Sequence, residues 1–132
     1  MPFTFEKLSI PEVILITPKV FEDDRGFFKE TFKLSDFLIE GIRHCFVQDN
    51  HSFSKKNTLR GIHFQKDPKP QAKLVGCSVG KILDVAIDLR IDSPTFKKWV
   101  AVELSSLNHK MLFVPERFGH AFLTLSDFAE VS

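Results

Sequence analysis

The 132 residues contain no tyrosine, one tryptophan and two cysteines, set against 15 phenylalanines. Two cysteines, Cys45 and Cys77, are too few for a disulfide framework or a zinc site, so a reducing cytoplasm is the default compartment. Neither sign of charge is in surplus: 18 Lys and Arg face 17 Asp and Glu, a net charge of +1. That balance argues against nucleic acid as a partner, since no basic excess exists to displace counterions. No apolar stretch exceeds four residues, far short of a bilayer span, so no membrane partner is expected either. The opening Met-Pro-Phe-Thr-Phe-Glu-Lys lacks the basic-then-apolar layout of a secretory signal. Common chemical signatures are missing too: no phosphate-cradling Gly-rich loop, no Gly-x-Ser-x-Gly elbow and no His-Glu-x-x-His.

What is present is a series of short segments rich in Val, Ile, Phe and Thr, separated by polar or Gly/Pro clusters. Such a pattern favours antiparallel β structure within one domain spanning residues 1–132. Strands are expected at 13–16, 27–32, 59–65, 73–79, 82–90, 99–104, 111–114 and 121–125, with a turn at 22–26 before the second. One short helix is expected at 35–40, capped by Ser35 and ended by Gly41. The segment 82–90 alternates cleanly: Leu83, Val85, Ile87 and Leu89 on one face, Asp84, Ala86, Asp88 and Arg90 on the other. Faces of such different polarity suit a strand dividing a packed core from a wet or functional cavity. The expected fold is all-β, a jelly roll or β-sandwich with one short helix.

Polar residues embedded in strand patterns are the candidates for chemistry, because a buried polar side chain needs a reason. His63, in Leu59-Arg-Gly-Ile-His-Phe-Gln65, is of the residue type suited to proton abstraction near neutrality, and equally suited to being a structural core histidine. Lys73 opens an apolar strand, where a solvated strand end is the plainer reading. Arg60 could as well be a surface ion-pair partner. Strand parity puts Arg60 and His63 on opposite faces, so sharing a pocket requires a bulge, for which Gly61 is the place. His120 begins another strand. Two strand-borne histidines raise the question of a metal, but Gln65 and Lys73 stand where further ligands are wanted, and neither is a good one. No metal or organic cofactor is expected. The charged run Asp24-Arg-Gly-Phe-Phe-Lys-Glu30 and the loop Gln48-Asp-Asn50 read by themselves as solvated surface.

Together these runs, with Gln71-Ala-Lys-Leu-Val75, Asp84-Val-Ala-Ile-Asp-Leu-Arg90, Ser93-Pro-Thr-Phe96 and Pro115-Glu-Arg-Phe-Gly-His-Ala-Phe122, resemble the dTDP-4-dehydrorhamnose 3,5-epimerase family along the whole chain. The resemblance implies a cupin-type jelly roll acting as a homodimer with shared active sites. The implied substrate is a dTDP-4-keto-6-deoxy sugar, inverted at C3 and C5 through an enolate. It implies His63 as the catalytic base and Lys73 as the group polarising the keto oxygen. Arg60 and His120 then touch sugar and diphosphate, while Arg25, Glu30, Gln48 and Asn50 serve the nucleotide side.

The same resemblance implies that family members run on past residue 132 into further strands. Their donor tyrosine falls immediately after Ser132, and the carboxylate that orients the histidine lies later still. Asp84 is the carboxylate nominated here to stand in as partner of His63. Loss of terminal strands is expected to leave residues 121–125 at an unpaired edge. Two other functions stay open: a nucleotide-sugar-binding cupin impaired in catalysis, and a single-centre epimerase or ketoisomerase acting on a related dTDP-keto-sugar.

Overall fold

The computed structural model describes residues 2–43, 46–64 and 71–132, which leaves Cys45 and Gln65 outside the described residues. In chain order the elements are β1 (Phe3–Lys7), β2 (Ile14–Pro18), β3 (Val20–Asp23), β4 (Gly26–Lys29), α1 (Leu34–Ile39), β5 (Ser52–Lys55) and β6 (Leu59–His63). They continue with β7 (Lys73–Val79), β8 (Lys81–Asp88), β9 (Trp99–Ser105), β10 (Met111–Val114), β11 (Phe118–Thr124) and β12 (Phe128–Val131). A six-stranded sheet runs β1-β2-β10-β7-β12-β5, a four-stranded sheet β6-β11-β8-β9, and β3 and β4 form a separate hairpin. Every pairing is antiparallel. This is the all-β architecture with one short helix that the spacing led us to expect. Among the described residues, no helix is long and apolar enough to cross a membrane.

Two cores lie on either side of the six-stranded sheet. Between the sheets, Leu15, Val75, Leu112, Val114 and Val131 meet Ile82, Ala86, Leu104, Phe118 and Phe122. On the outer side, Ile14, Ile16, Met111 and Phe113 pack under α1 with Phe3, Phe37 and Ile42. The central strands are therefore covered on both faces, which is why 13–16 and 111–114 read as continuous apolar runs. Phe37, fully buried, meets Phe3, Phe5 and Phe32 edge-on at 5.2, 5.2 and 4.8 Å. Edge-to-face ring packing of this kind adds about 0.5–1.5 kcal/mol per pair to the burial itself.

That aromatic contact also corrects the expected helix start. The helix opens at Leu34 from an extended Lys33 with no side-chain cap, rather than from a Ser35 cap. A six-residue helix is held by its packed face, and seating Phe37 outweighs the capping preference. Gly41 does take the left-handed conformation expected after the helix, with φ +85°.

Further differences concern strand faces and edges. In β8 it is Ile82, Asp84, Ala86 and Asp88 that are buried between the sheets, whereas Leu83, Val85 and Ile87 are half-exposed on the outer face of the four-stranded sheet. Parity gave the two faces correctly, but the apolar one is not the closed core; both aspartates find polar partners inside. Residues 121–125 are not at an edge. β11 is central in its sheet, bonded to β6 on one side and β8 on the other. Finally, 22–23 belong to strand β3 and not to a turn, because Val20 to Asp23 pairs with Gly26 to Lys29.

Candidate functional site

The parity conflict at residues 60–63 is resolved in the backbone. His63 lies opposite His120 and Arg60 opposite Phe122, so three steps along β6 match two along β11. The extra residue is a bulge, and it turns Arg60 and His63 to the side of the sheet occupied by His120 and Phe122. Gly61 takes φ +118°, and a Cβ there would stand 2.6 Å from the His120 carbonyl oxygen and 2.8 Å from the Ala121 Cα. No side chain fits that approach, so glycine is a requirement of the bulge.

The bulge brings three expected residues onto one strand pair. His63 is exposed. Arg60 donates from Nε to the Ser54 hydroxyl at 2.7 Å and from Nη2 to the Phe53 carbonyl at 3.1 Å, tying β6 to the edge strand of the other sheet. His120 is buried, its Nε2 lying 2.6 Å from Asp84 Oδ1. The expected partnership of Asp84 with His63 is thus overturned. Asp84 and His120 sit on diagonal inward positions of β8 and β11, whereas His63 is on the far side of β11. Burial raises the Asp84 pKa, and the hydrogen bond and charge of His120 offset part of that rise.

Lys73 opens β7 on the inward-facing parity of Val75 and Cys77, on the sheet opposite the histidines. Burial lowers its ammonium pKa, as expected for a cation held partly out of water. Among the described residues, no group of three or more His, Cys, Asp or Glu is arranged to hold a metal ion.

The nucleotide-side candidates are not drawn into this cluster. Gln48 and Asn50 bond to each other at 3.1 Å on the surface before β5. Arg25 folds onto Asp23 at 2.6 Å in the exposed turn of the β3–β4 hairpin, and Glu30 follows that hairpin, exposed. Sequence reasoning missed what anchors the hairpin: Lys29 Nζ lies 3.0 Å from His109 Nδ1, and Phe27 meets the same imidazole edge-on at 4.8 Å. Burial lowers both pKa values there, and for His109 the Lys29 charge adds to it. It also missed Ser54, whose one signal is a small polar residue at a buried strand position.

Asp88, four residues from Asp84 on the same face, is an anchor of a different kind. Its side chain is fully buried and accepts from Arg90, Ser93 and Thr95, closing the β8–β9 connection. Arg90 reaches on to Glu12 at 2.9 Å and lies over the Phe118 ring.

A small β-sandwich with a buried histidine–aspartate pair, an exposed second histidine on the neighbouring strand and a partly buried lysine of lowered pKa on the opposite sheet has the parts to move protons at carbon, which suits a proton-transferring isomerase. The comparisons make this specific. The family model described as dTDP-4-dehydrorhamnose 3,5-epimerase matches residues 7–132, and the chain belongs to that family of isomerases. The dTDP-4-dehydrorhamnose 3,5-epimerase of Salmonella typhimurium is 53% identical over 125 residues, covering 94% of this chain and 68% of that protein. The crystal structure of the Sulfolobus tokodaii dTDP-4-dehydrorhamnose 3,5-epimerase superposes with a TM-score of 0.94 at 49% identity, over 99% of this chain and 73% of that one. A 3,5-epimerase from Legionella pneumophila, solved in complex with dTDP-4-keto-L-rhamnose, gives a TM-score of 0.94 at 41% identity, over 98% and 69% of the two chains. The cupin-type fold implied by the motifs is the fold these relatives share.

Proposed function

We propose that this chain, as one cupin-type domain over residues 1–132, inverts C3 and C5 of a dTDP-4-keto-6-deoxy sugar. His63 takes the proton and Lys73 polarises the C4 oxygen. Both carbons flank the ketone, so removing either hydrogen leaves an enolate and not a naked carbanion, and an ammonium near that oxygen stabilises the developing charge. A lysine held partly out of water is a stronger electrostatic partner than one on the surface. Arg60 and His120 hold the sugar and diphosphate. Arg25, Glu30, Gln48 and Asn50 hold the nucleotide, some of them across a homodimer whose active sites are shared.

The observation that carries this reading is the Gly61 bulge, which turns Arg60 and His63 toward His120. The homodimer is supported by the outer face of the four-stranded sheet. There Leu59, Ile62 and Trp99 are 67, 62 and 64% exposed beside the half-exposed Leu83, Val85 and Ile87, a contiguous apolar area of the sort proteins cover. We place the reaction in the cytoplasm, where the free thiol of Cys77 stays reduced.

The test is hydrogen exchange at C3 and C5, followed by NMR in heavy water. Exchange at both positions with inversion is expected, and His63→Asn should abolish it while nucleotide affinity is kept. Exchange at a comparable rate in the variant excludes His63 as the base. Sedimentation showing a stable monomer at micromolar concentration excludes the dimer.

A further inference from the structure

We propose that Asp84 is a positioning residue that makes His120 a hydrogen-bond donor through its Nδ1 atom. The inference rests on the epimerase reading above and adds a role for a residue that the expected mechanism leaves out.

The observation is a buried carboxylate that is only half satisfied. Asp84 is 0% exposed; Oδ1 lies 2.6 Å from His120 Nε2, and Oδ2 has no hydrogen-bond partner among the described residues. Leaving such an oxygen unpaired is costly, and a carboxylate kept only for structure gathers donors, as Asp88 does on the same strand. The His120 ring meets Asp84 through Nε2, so Nδ1 is the nitrogen left for a substrate.

The proton count then fixes what His120 can do. A separation of 2.6 Å places one proton between Oδ1 and Nε2. We take the carboxyl and imidazole together to be neutral, since a wholly buried carboxylate with one oxygen unpaired disfavours a net negative pair. If that shared proton sits on Nε2, the ring is an imidazolium and Nδ1 carries its own hydrogen. If it sits on Oδ1, the ring is neutral and its hydrogen is again on Nδ1. Either way the nitrogen left for a substrate oxygen is an N–H, suited to an oxygen gaining negative charge. His120 is registered directly opposite His63, so this donor neighbours the proposed base. Without Asp84 the ring is free to carry its hydrogen on Nε2 and offer Nδ1 as a lone pair, the wrong polarity for an enolate oxygen. No proton leaves His120 in this scheme; it donates a hydrogen bond only.

The test is ¹⁵N NMR of the His120 ring near neutral pH, with turnover measured on the parent and two variants. The parent should show a protonated Nδ1. Asp84→Leu should lose that signature and lower kcat about 100-fold with KM changed far less. Asp84→Asn, whose amide can donate to Nε2 and so keep the Nδ1 hydrogen, should retain more turnover than Asp84→Leu for the same folded fraction. An unprotonated Nδ1 in the parent overturns the proposal without need of a variant. So does turnover within twofold of the parent in folded Asp84→Leu. If the parent catalyses no exchange at C3 or C5, the epimerase reading fails, while the ring spectrum still decides whether Asp84 sets the His120 proton.

Discussion

Asp84 and Asp88 stand four residues apart on one face of one strand, and both are wholly buried, yet their chemistry runs in opposite directions. Burial pushes both carboxyls up. At Asp88, hydrogen bonds from Arg90, Ser93, Thr95 and a backbone amide outweigh it and hold the pKa far below the usual carboxylate range. At Asp84, among the described residues, only His120 answers, and the pKa stays raised. Equal burial therefore says little about a carboxylate; the number of donors decides whether it is a fixed charge or a proton holder. The better-satisfied one closes a loop. The half-satisfied one lies beside the candidate site.

Removing each carboxylate should pull the two apart. Asp88→Ala takes one of its two carboxylate partners from the partly buried Arg90, leaving Glu12, and is expected to cost about 2–3 kcal/mol in urea unfolding, with little loss of turnover per folded molecule. A loss under about 1 kcal/mol would remove the contrast. Asp84→Asn should do the reverse, changing stability by no more than about 1–2 kcal/mol because an amide of the same shape removes the buried charge and can keep the bond to His120 Nε2, while turnover falls. Calorimetry and kinetics on the same preparation check both halves.

The pH dependence of stability sharpens the comparison further. Asp88 has a lowered native pKa, so the unfolded chain takes up its proton first on acidification. Its stabilisation is complete above the ordinary carboxylate value near about 4 and drains away below it. Asp84 has a raised native pKa, so its contribution is complete below about 4 and is lost as the pH rises toward the raised value. Urea midpoints across pH should show Asp88→Asn flattening the acid limb and Asp84→Asn flattening the limb above it; identical profiles for the two variants would sink the assignment. The smallest effect is expected from Thr95→Val, which takes one donor from Asp88 and should cost about 1 kcal/mol by denaturant titration.

Much of this was legible in the chain. β7 and β10 fall on the expected residues because their patterns reflect burial on defined faces. The bulge was legible as a contradiction, since Arg60 and His63 could share a pocket only if Gly61 broke the alternation. What stayed hidden depends on distant partners. β1, β3, β5 and β12 lie at sheet edges, beside an edge or in the hairpin, and carry polar residues such as Thr4, Glu22, Ser52 and Glu130; backbone pairing holds them and side-chain pattern does not. Which face of β8 turned inward was hidden too. Two aspartates look solvent-bound until His120, 36 positions away, and the 90–95 turn supply their partners.

Trp99 ends the outer stripe of the four-stranded sheet, 64% exposed, in a sequence with no tyrosine. In these 132 residues, absorption and emission at wavelengths beyond the phenylalanine band therefore belong to one indole, with no phenolic background to subtract. Covering that face, by a second copy or by anything else, would dry the indole and shift its emission to the blue, whereas events between the sheets would leave it in water. The protein thus carries its own optical gauge of association, separate from anything happening at the histidines.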